Sequence, residues 1–105
     1  MSKTAQIFKA MGEPTRQQII GLLARRDMGV GEIAGHFSMS RPAVAKHLAL
    51  MRRCGLLEMS VQGREHIHHL RRDKMHEAGQ WIEQFSLFWD EKLADLKQIV
   101  ESEHE

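Results

Sequence analysis

The sequence has a single cysteine, Cys54, so no internal disulfide can staple the chain; that usage fits a reducing cytosol. The longest unbroken apolar stretch, around Ile19 to Ala24, is far too short to span a bilayer. The start, Met1-Ser2-Lys3-Thr4-Ala5, has neither a hydrophobic run nor a small-residue cleavage site, which predicts a cytoplasmic protein with no membrane partner. No internal repeat and no low-complexity linker interrupts the chain. No nucleophile–base pairing, phosphate loop or metal motif stands out, so the sequence predicts neither enzyme activity nor a cofactor or bound metal.

The apolar share of 42% and charged share of 28% suit an ordinary globular protein and argue against disorder. A length of 105 residues predicts one domain over 1–105. A core of that size is modest, and burial against a second copy would add to it. The net charge of +1 conceals a division. Residues 1–74 carry thirteen Lys/Arg against six Asp/Glu, whereas residues 75–105 carry two against eight. The first part suits a polyanion and the second does not, although solvated faces of opposite sign would produce the same count.

Apolar Ile7, Phe8 and Met11 predict a short helix over Ala5 to Met11, broken by Gly12-Glu13-Pro14-Thr15. Pro14 suits the first turn of a second helix, where its missing N–H is harmless. That helix runs to about Arg26 with Ile19, Leu22 and Leu23 on its buried stripe, and Asp27-Met28-Gly29 closes it. Val30 to Phe37 predicts a short helix, Ser38-Met39-Ser40 a tight turn, and Ser40 a cap for a helix with Pro42 in its first turn. Val44, Leu48 and Met51 give that helix one apolar face, and Gly55 ends it. Leu56 to Val61 and Arg64 to Leu70, flanking Gln62-Gly63, predict a two-stranded hairpin. From about Arg71 to Glu101 apolar residues recur three or four apart, predicting one long helix. The fold class is therefore mainly α with a small β-hairpin. Helix, three-residue turn, capped helix and hairpin is the order of a winged helix-turn-helix.

Between Ile33 and Leu57 there is no Asp or Glu, while Arg41, Lys46, Arg52 and Arg53 lie there. A purely cationic recognition helix is what duplex DNA needs, because neutralising phosphates and releasing their counterions supplies much of the affinity. Arg41 stands in the first turn, where side chains reach base edges in the major groove, and its forked guanidinium can bond guanine O6 and N7 together. Lys46 lies about 140° further around the helix, which assigns it to phosphate or a neighbouring base. Pro42 and Ala45 are further contacts beside them. Ser38 and Ser40 can donate to phosphate, with Ser40 equally able to act only as a cap. His47 is either packed or bonded to phosphate. On the wing, Arg64 is a candidate for backbone or minor-groove contact, assisted by Gln62.

These residues resemble the ArsR family of bacterial repressors. Phe8-Lys9-Ala10-Met11-Gly12-Glu13-Pro14-Thr15-Arg16 is similar to the family's leucine-(Ala/Gly)-(Asp/Glu)-Pro-Thr-Arg signature. Ser40-Arg41-Pro42-Ala43-Val44-Ala45-Lys46-His47-Leu48 resembles its recognition helix, which usually ends in a His-Leu pair. Arg52-Arg53-Cys54-Gly55-Leu56-Leu57 is similar to its arginine-rich helix end, and Gly63-Arg64 to its wing. The resemblance covers residues 5–100. It implies a repressor acting on a palindromic operator, its own gene being one candidate target. It also implies a homodimer whose first and last helices, the latter over residues 71–101, form the interface. Phe8, Trp81, Phe85, Phe88, Trp89 and Leu93 are the candidate interface residues, with core within the chain as their other possible use.

The family's arsenic and cadmium sensors carry a Cys-x-Cys segment where this chain has Met28-Gly29-Val30-Gly31. Its zinc sensors carry two Asp/His clusters on the last helix; Asp73 and His76 can start one, but residues 77–103 contain no histidine. His66 and His68 share a strand face, facing solvent or phosphate, or holding a metal with a third ligand. Cys54 stands beside a helix cap and suits core packing better than redox switching. Two alternatives stay open: a metal- or thiol-responsive repressor of the same fold, and a winged-helix module that binds protein instead of DNA.

Overall fold

The computed structural model describes residues 2–103, with the side chains at positions 86–89 and 103 outside the described set. Helix α1 (Lys3–Met11) starts at Ser2, whose hydroxyl accepts the Ala5 N–H at 3.1 Å. Helix α2 (Pro14–Arg25) has Pro14 at its first position. Its cap is Glu13, whose carboxylate accepts the Arg16 N–H at 2.9 Å; that bond, before any other influence, lowers the Glu13 pKa.

Two residues, Met28–Gly29, then form strand β1 before helix α3 (Val30–Ala34). Met28 pairs with His68 and Gly29 with Ile67, so a third strand stands where the sequence predicted a helix closure. A two-residue strand shows no alternation along the chain, and this one forms because the hairpin offers an edge to it. Helix α3 is also shorter than predicted. Past Gly35 the N–H groups of His36 and Phe37 turn back to the Ile33 and Ala34 carbonyls, each at 3.1 Å.

Helix α4 (Arg41–Arg53) follows its predicted course. The Ser40 hydroxyl accepts the Ala43 N–H at 3.3 Å, and Val44, Leu48 and Met51 are fully buried. Cys54 caps the C-terminus and Gly55 follows at φ 87. Gly55 N–H bonds the Arg52 carbonyl at 3.1 Å and Leu56 N–H the Met51 carbonyl at 3.0 Å, the paired bonds of a left-handed helix stop. The Cys54 thiol donates to the Met51 carbonyl at 3.3 Å and is half-buried.

Strands β2 (Leu57–Gln62) and β3 (Glu65–Leu70) make the antiparallel hairpin, and the sheet order is β1-β3-β2. Gln62 pairs with Glu65, so the turn is Gly63-Arg64, one residue later than predicted. Gly63, at φ 64, supplies the left-handed first position that a tight hairpin turn requires.

The predicted single helix over 71–101 is two: α5 (Arg72–Glu83) and α6 (Ser86–Glu103). At the break, Phe85 N–H bonds the Ile82 carbonyl at 3.0 Å and the Gln84 side-chain amide donates to the Trp81 carbonyl at 2.8 Å. Both bonds take carbonyls that a continuing helix would use. The apolar period runs on through the break, so it gives no sign of it. The core gathers Ile7, Ile19, Leu23, Ile33, Leu48, Met51 and Leu56 between the first four helices and the hairpin base. Every described side chain of α6 is exposed. Among the described residues no helix is long and apolar enough to cross a membrane.

His68 overturns the expectation of two outward wing histidines: His66 is exposed, but His68 is 0% exposed. The last turn of α4 covers the base of the hairpin at His68, while His66 lies nearer the uncovered tip. Arg52 Nη1 stands 2.7 Å from His68 Nε2 and the His66 carbonyl 3.2 Å from His68 Nδ1. Arginine only donates, so Nε2 accepts and Nδ1 carries the proton, the wiring of a neutral imidazole. Burial holds the His68 pKa below its ordinary value, and the positive charge of Arg52 pushes the same way against the bond to the His66 carbonyl.

Two outcomes follow. An unfolded histidine takes its proton near pH ~6.5, whereas folded His68 takes it only at lower pH, so its stabilisation is complete above ~6.5 and is lost as pH falls below that. Urea unfolding should show stability declining from pH ~6.5 downward, and His68→Gln, which keeps an acceptor for Arg52 but does not titrate, should flatten that decline. Glu13 and Asp73, whose pKa values are lowered, act only at more acid pH. The glycines supply opposite signs: Gly55→Ala should cost about 1–2 kcal/mol because of its left-handed backbone. Gly21→Ala, inside α2 with nothing within 4 Å of the added methyl, should raise stability by roughly 1 kcal/mol.

Candidate nucleic-acid interface

The turn before α4 and the first half of that helix present one exposed surface: Ser38, Ser40, Arg41, Pro42, Ala45 and Lys46 all lie on it. The apolar stripe of α4 is committed to the core, which forces these residues outward. Arg41, Lys46 and Arg64 make no hydrogen bond or ion pair among the described residues. The nearest acid of α3, Glu32, is engaged by Arg26.

Arg41 and Arg64 line one cleft of about 210 Å³, together with Gly31, Glu65 and His66. Helix start and wing tip, remote in sequence, thus meet at one place. The Arg41 guanidinium lies over Gly31, where an added Cβ would stand 3.4 Å from Nη1. The Glu65 carboxylate lies over Gly29, 3.8 Å from an added Cβ. Sequence reading missed Glu65 and Gly31; the only signal was the small-residue spacing Gly29-Val30-Gly31. Gln62 is exposed on the strand side of the wing turn.

Three expected contacts have other surroundings. Arg52 is half-buried and turned to His68 rather than outward. His47 is half-buried, with its Nδ1 3.4 Å from Arg16 Nη1 and 3.8 Å from Glu13 Oε2, which favours the packed reading. Arg53 is exposed but sits at the far end of α4, about 18 Å along the axis from Arg41. The acid-free cationic segment put all three beside the expected DNA contacts; the partners of His47 and Arg52 come from α2 and β3, which the segment itself does not reveal.

The sheet also makes a nucleophile–base pairing that the sequence hid. His69 Nδ1 lies 2.8 Å from Asp27 Oδ2, and its Nε2 2.7 Å from Ser60 Oγ. Asp27 is 55% and His69 31% exposed at the side chain, so the group is open to water instead of enclosed with preorganised donors for an oxyanion. It cross-links the loop before β1 to both wing strands. Among the described residues, no three His, Cys, Asp or Glu side chains gather as a metal-holding group.

Of the expected interface residues, Phe8 packs within the chain, edge-on to Trp81 at 5.4 Å, and Trp81 meets Phe85 at 5.1 Å. Trp81 remains 50%, Phe85 42% and Leu93 62% exposed. The side chains of Phe88 and Trp89 lie outside the described residues.

The family profile "Bacterial regulatory protein, arsR family" matches residues 13–59, from the cap of α2 into β2. The chain is 30% identical over 79 residues to the transcriptional repressor SdpR of Bacillus subtilis, covering 75% of this chain and 88% of that one. It is 32% identical over 76 residues to an uncharacterised HTH-type transcriptional regulator of Methanocaldococcus jannaschii, covering 71% of this chain and 85% of the relative. An ArsR-like transcriptional regulator from Rhodococcus sp. RHA1 superposes with a TM-score of 0.72 at 33% identity over 92% of each chain. A crystal structure of another ArsR family transcriptional regulator gives a TM-score of 0.77 at 26% identity, covering 85% of this chain and 98% of that one. With its helix-turn-helix, cationic outer helix face and wing matched together, this chain belongs to the arsR family of bacterial regulatory proteins, DNA-binding transcriptional regulators rather than enzymes.

Proposed function

We propose that this protein is a repressor that binds a palindromic operator as a homodimer, its own promoter among the candidate targets. The observation that carries this reading is the line of unpaired cations, Arg41, Lys46 and Arg64, along the exposed start of α4 and the wing tip. Arg41 reads guanine in the major groove, Lys46 neutralises phosphate, and Arg64 with Gln62 follows the backbone or minor groove beside it. Ser38 donates to phosphate, while Ser40 spends its hydroxyl oxygen on the helix cap. The name of the relative SdpR, a transcriptional repressor, supports the sign of regulation.

Dimerisation rests on surface that the single chain leaves wet. Leu93, Leu96 and Val100 form a helical row on α6, between 47% and 62% exposed, and Trp81, Ile82 and Phe85 continue the apolar surface at the end of α5. Covering such an area with a second copy removes it from water, and a palindromic operator requires two recognition helices about 34–36 Å apart, one turn of the duplex.

Arg41→Ala should weaken operator binding by about 1–3 kcal/mol and relax preference at one base position. Lys46→Ala should weaken all sequences alike and lower the salt slope by about one unit. A mobility-shift series across salt concentrations measures both, and an unchanged affinity in the double variant would sink the assignment. For assembly, Leu93→Asp with Leu96→Asp should raise the dimer dissociation constant by about tenfold or more in sedimentation equilibrium. A wild-type chain that sediments as a monomer at micromolar concentration would remove the dimer.

A further inference from the structure

A second cleft, of about 430 Å³, lies between α1, the start of α2 and the last turn of α4. Its size falls in the range of small-molecule sites. Lys9, Arg16 and Arg53 line it, and no carboxylate does. Leu50 and Cys54 add apolar surface to its lining, which Gln6 and the almost fully buried Ala10 complete. Arg16 is held in place: its Nε donates to the Ala10 carbonyl at 2.6 Å and its Nη1 reaches His47. Lys9 and Arg53 make no side-chain hydrogen bond or ion pair among the described residues.

The proposed duplex contacts and the exposed apolar row of α5 and α6 use none of these residues. Arg53 is about 18 Å along α4 from Arg41, at the end remote from the groove, and the exposed apolar row for dimerisation is on α5 and α6. A bare inorganic anion would use the cations and leave Leu50, 37% exposed, and the half-buried Cys54 wet. We propose that the cleft binds an amphipathic organic anion: a carboxylate held by Lys9, Arg16 and Arg53, with a short aliphatic body laid on Leu50 and Cys54. The occupant ties the last turn of α4 to α1 and cancels part of the positive field near the recognition helix. At low ionic strength the screening length is about 30 Å, longer than that separation, so the bound anion opposes DNA. Linkage makes the opposition mutual. This coupling rests on the DNA-binding reading above; the ligand site does not.

Calorimetric titration of the full chain with octanoate, at low ionic strength and without DNA, tests the site. Acetate carries the charge without the body, and 1-octanol the body without the charge. Octanoate should bind saturably and about tenfold or more tighter than either. Lys9→Glu with Arg53→Glu should lose about tenfold or more of that affinity at an unchanged melting temperature. Leu50→Gln should lose affinity too, and serves alone if the double variant fails to fold. Acetate binding as tightly as octanoate would reduce the cleft to a simple anion site. Equal binding of 1-octanol, or full affinity in both variants, would move the ligand elsewhere; each of these results overturns the proposal. Saturating octanoate should then weaken operator binding about twofold or more at ~10 mM salt, and no change would overturn the coupling. Absence of any duplex binding, with octanoate binding as expected, would remove the repressor reading and the coupling while leaving the ligand site intact.

Discussion

The relation between the wing and the recognition helix depends on one side chain of α4 reaching one buried ring. Arg52 leaves the exposed face of its helix, crosses to β3 and donates to His68, whose other nitrogen holds the His66 carbonyl. A polar ring buried in a small apolar core is destabilising unless each nitrogen finds a partner, and here both do. The hairpin base and the C-terminal turn of α4 are therefore one body. The root of the wing is thereby fixed against the helix that carries Arg41. The Schellman stop at Gly55 brings Leu56 and Leu57 straight into that body, and the Arg71 N–H closes it at the Leu56 carbonyl, 2.7 Å away.

What the sequence revealed, and what it hid, divides along local and non-local causes. Helix α4 was legible from end to end because its cap, its Pro42, its apolar stripe and its terminal glycine all act within a few residues of themselves. The outward cations Arg41 and Lys46 follow from that stripe. Strand β1 was not legible, since Met28 and Gly29 become a strand only through a partner forty residues away. The roles of Arg52 and His47 were hidden for the same reason. Cationic residues in a basic segment look alike until the neighbours that claim some of them are in place. The break at Gln84 escaped notice because it leaves the apolar period intact while two hydrogen bonds redirect the backbone.

The acids show the converse pattern. Glu13 is spent on a helix cap, Glu32 on Arg26, Asp73 on Arg71 and Asp27 on His69. The carboxylates of the basic part thus act as structural ties, and their pairing leaves Arg41, Lys46 and Arg64 to define the local potential. Asp27, Glu32 and Glu65 all line the cleft near those cations, and among the described residues Glu65 is the one of the three that no arginine or imidazole claims. It gives the cleft a carboxylate acceptor beside two guanidinium groups, a mixture suited to discriminating among bases as well as attracting phosphate.

Strand β1 is two residues long, and its pairing stops at Ile67. At Ile67 and His68 the wing is three strands wide; beyond them, from His66 to the turn, it is a bare ribbon with one neighbour per strand. Two-stranded ribbons have little stiffness of their own and twist readily. The wing is thus built like a reed, clamped at the root and compliant at the end that carries Arg64. With Arg64 on the duplex as proposed above, such a part would settle on minor grooves of different width, while the clamped root would hold α4 to one pose. The length of one short strand thereby decides which portion of the wing yields and which is held to the helix.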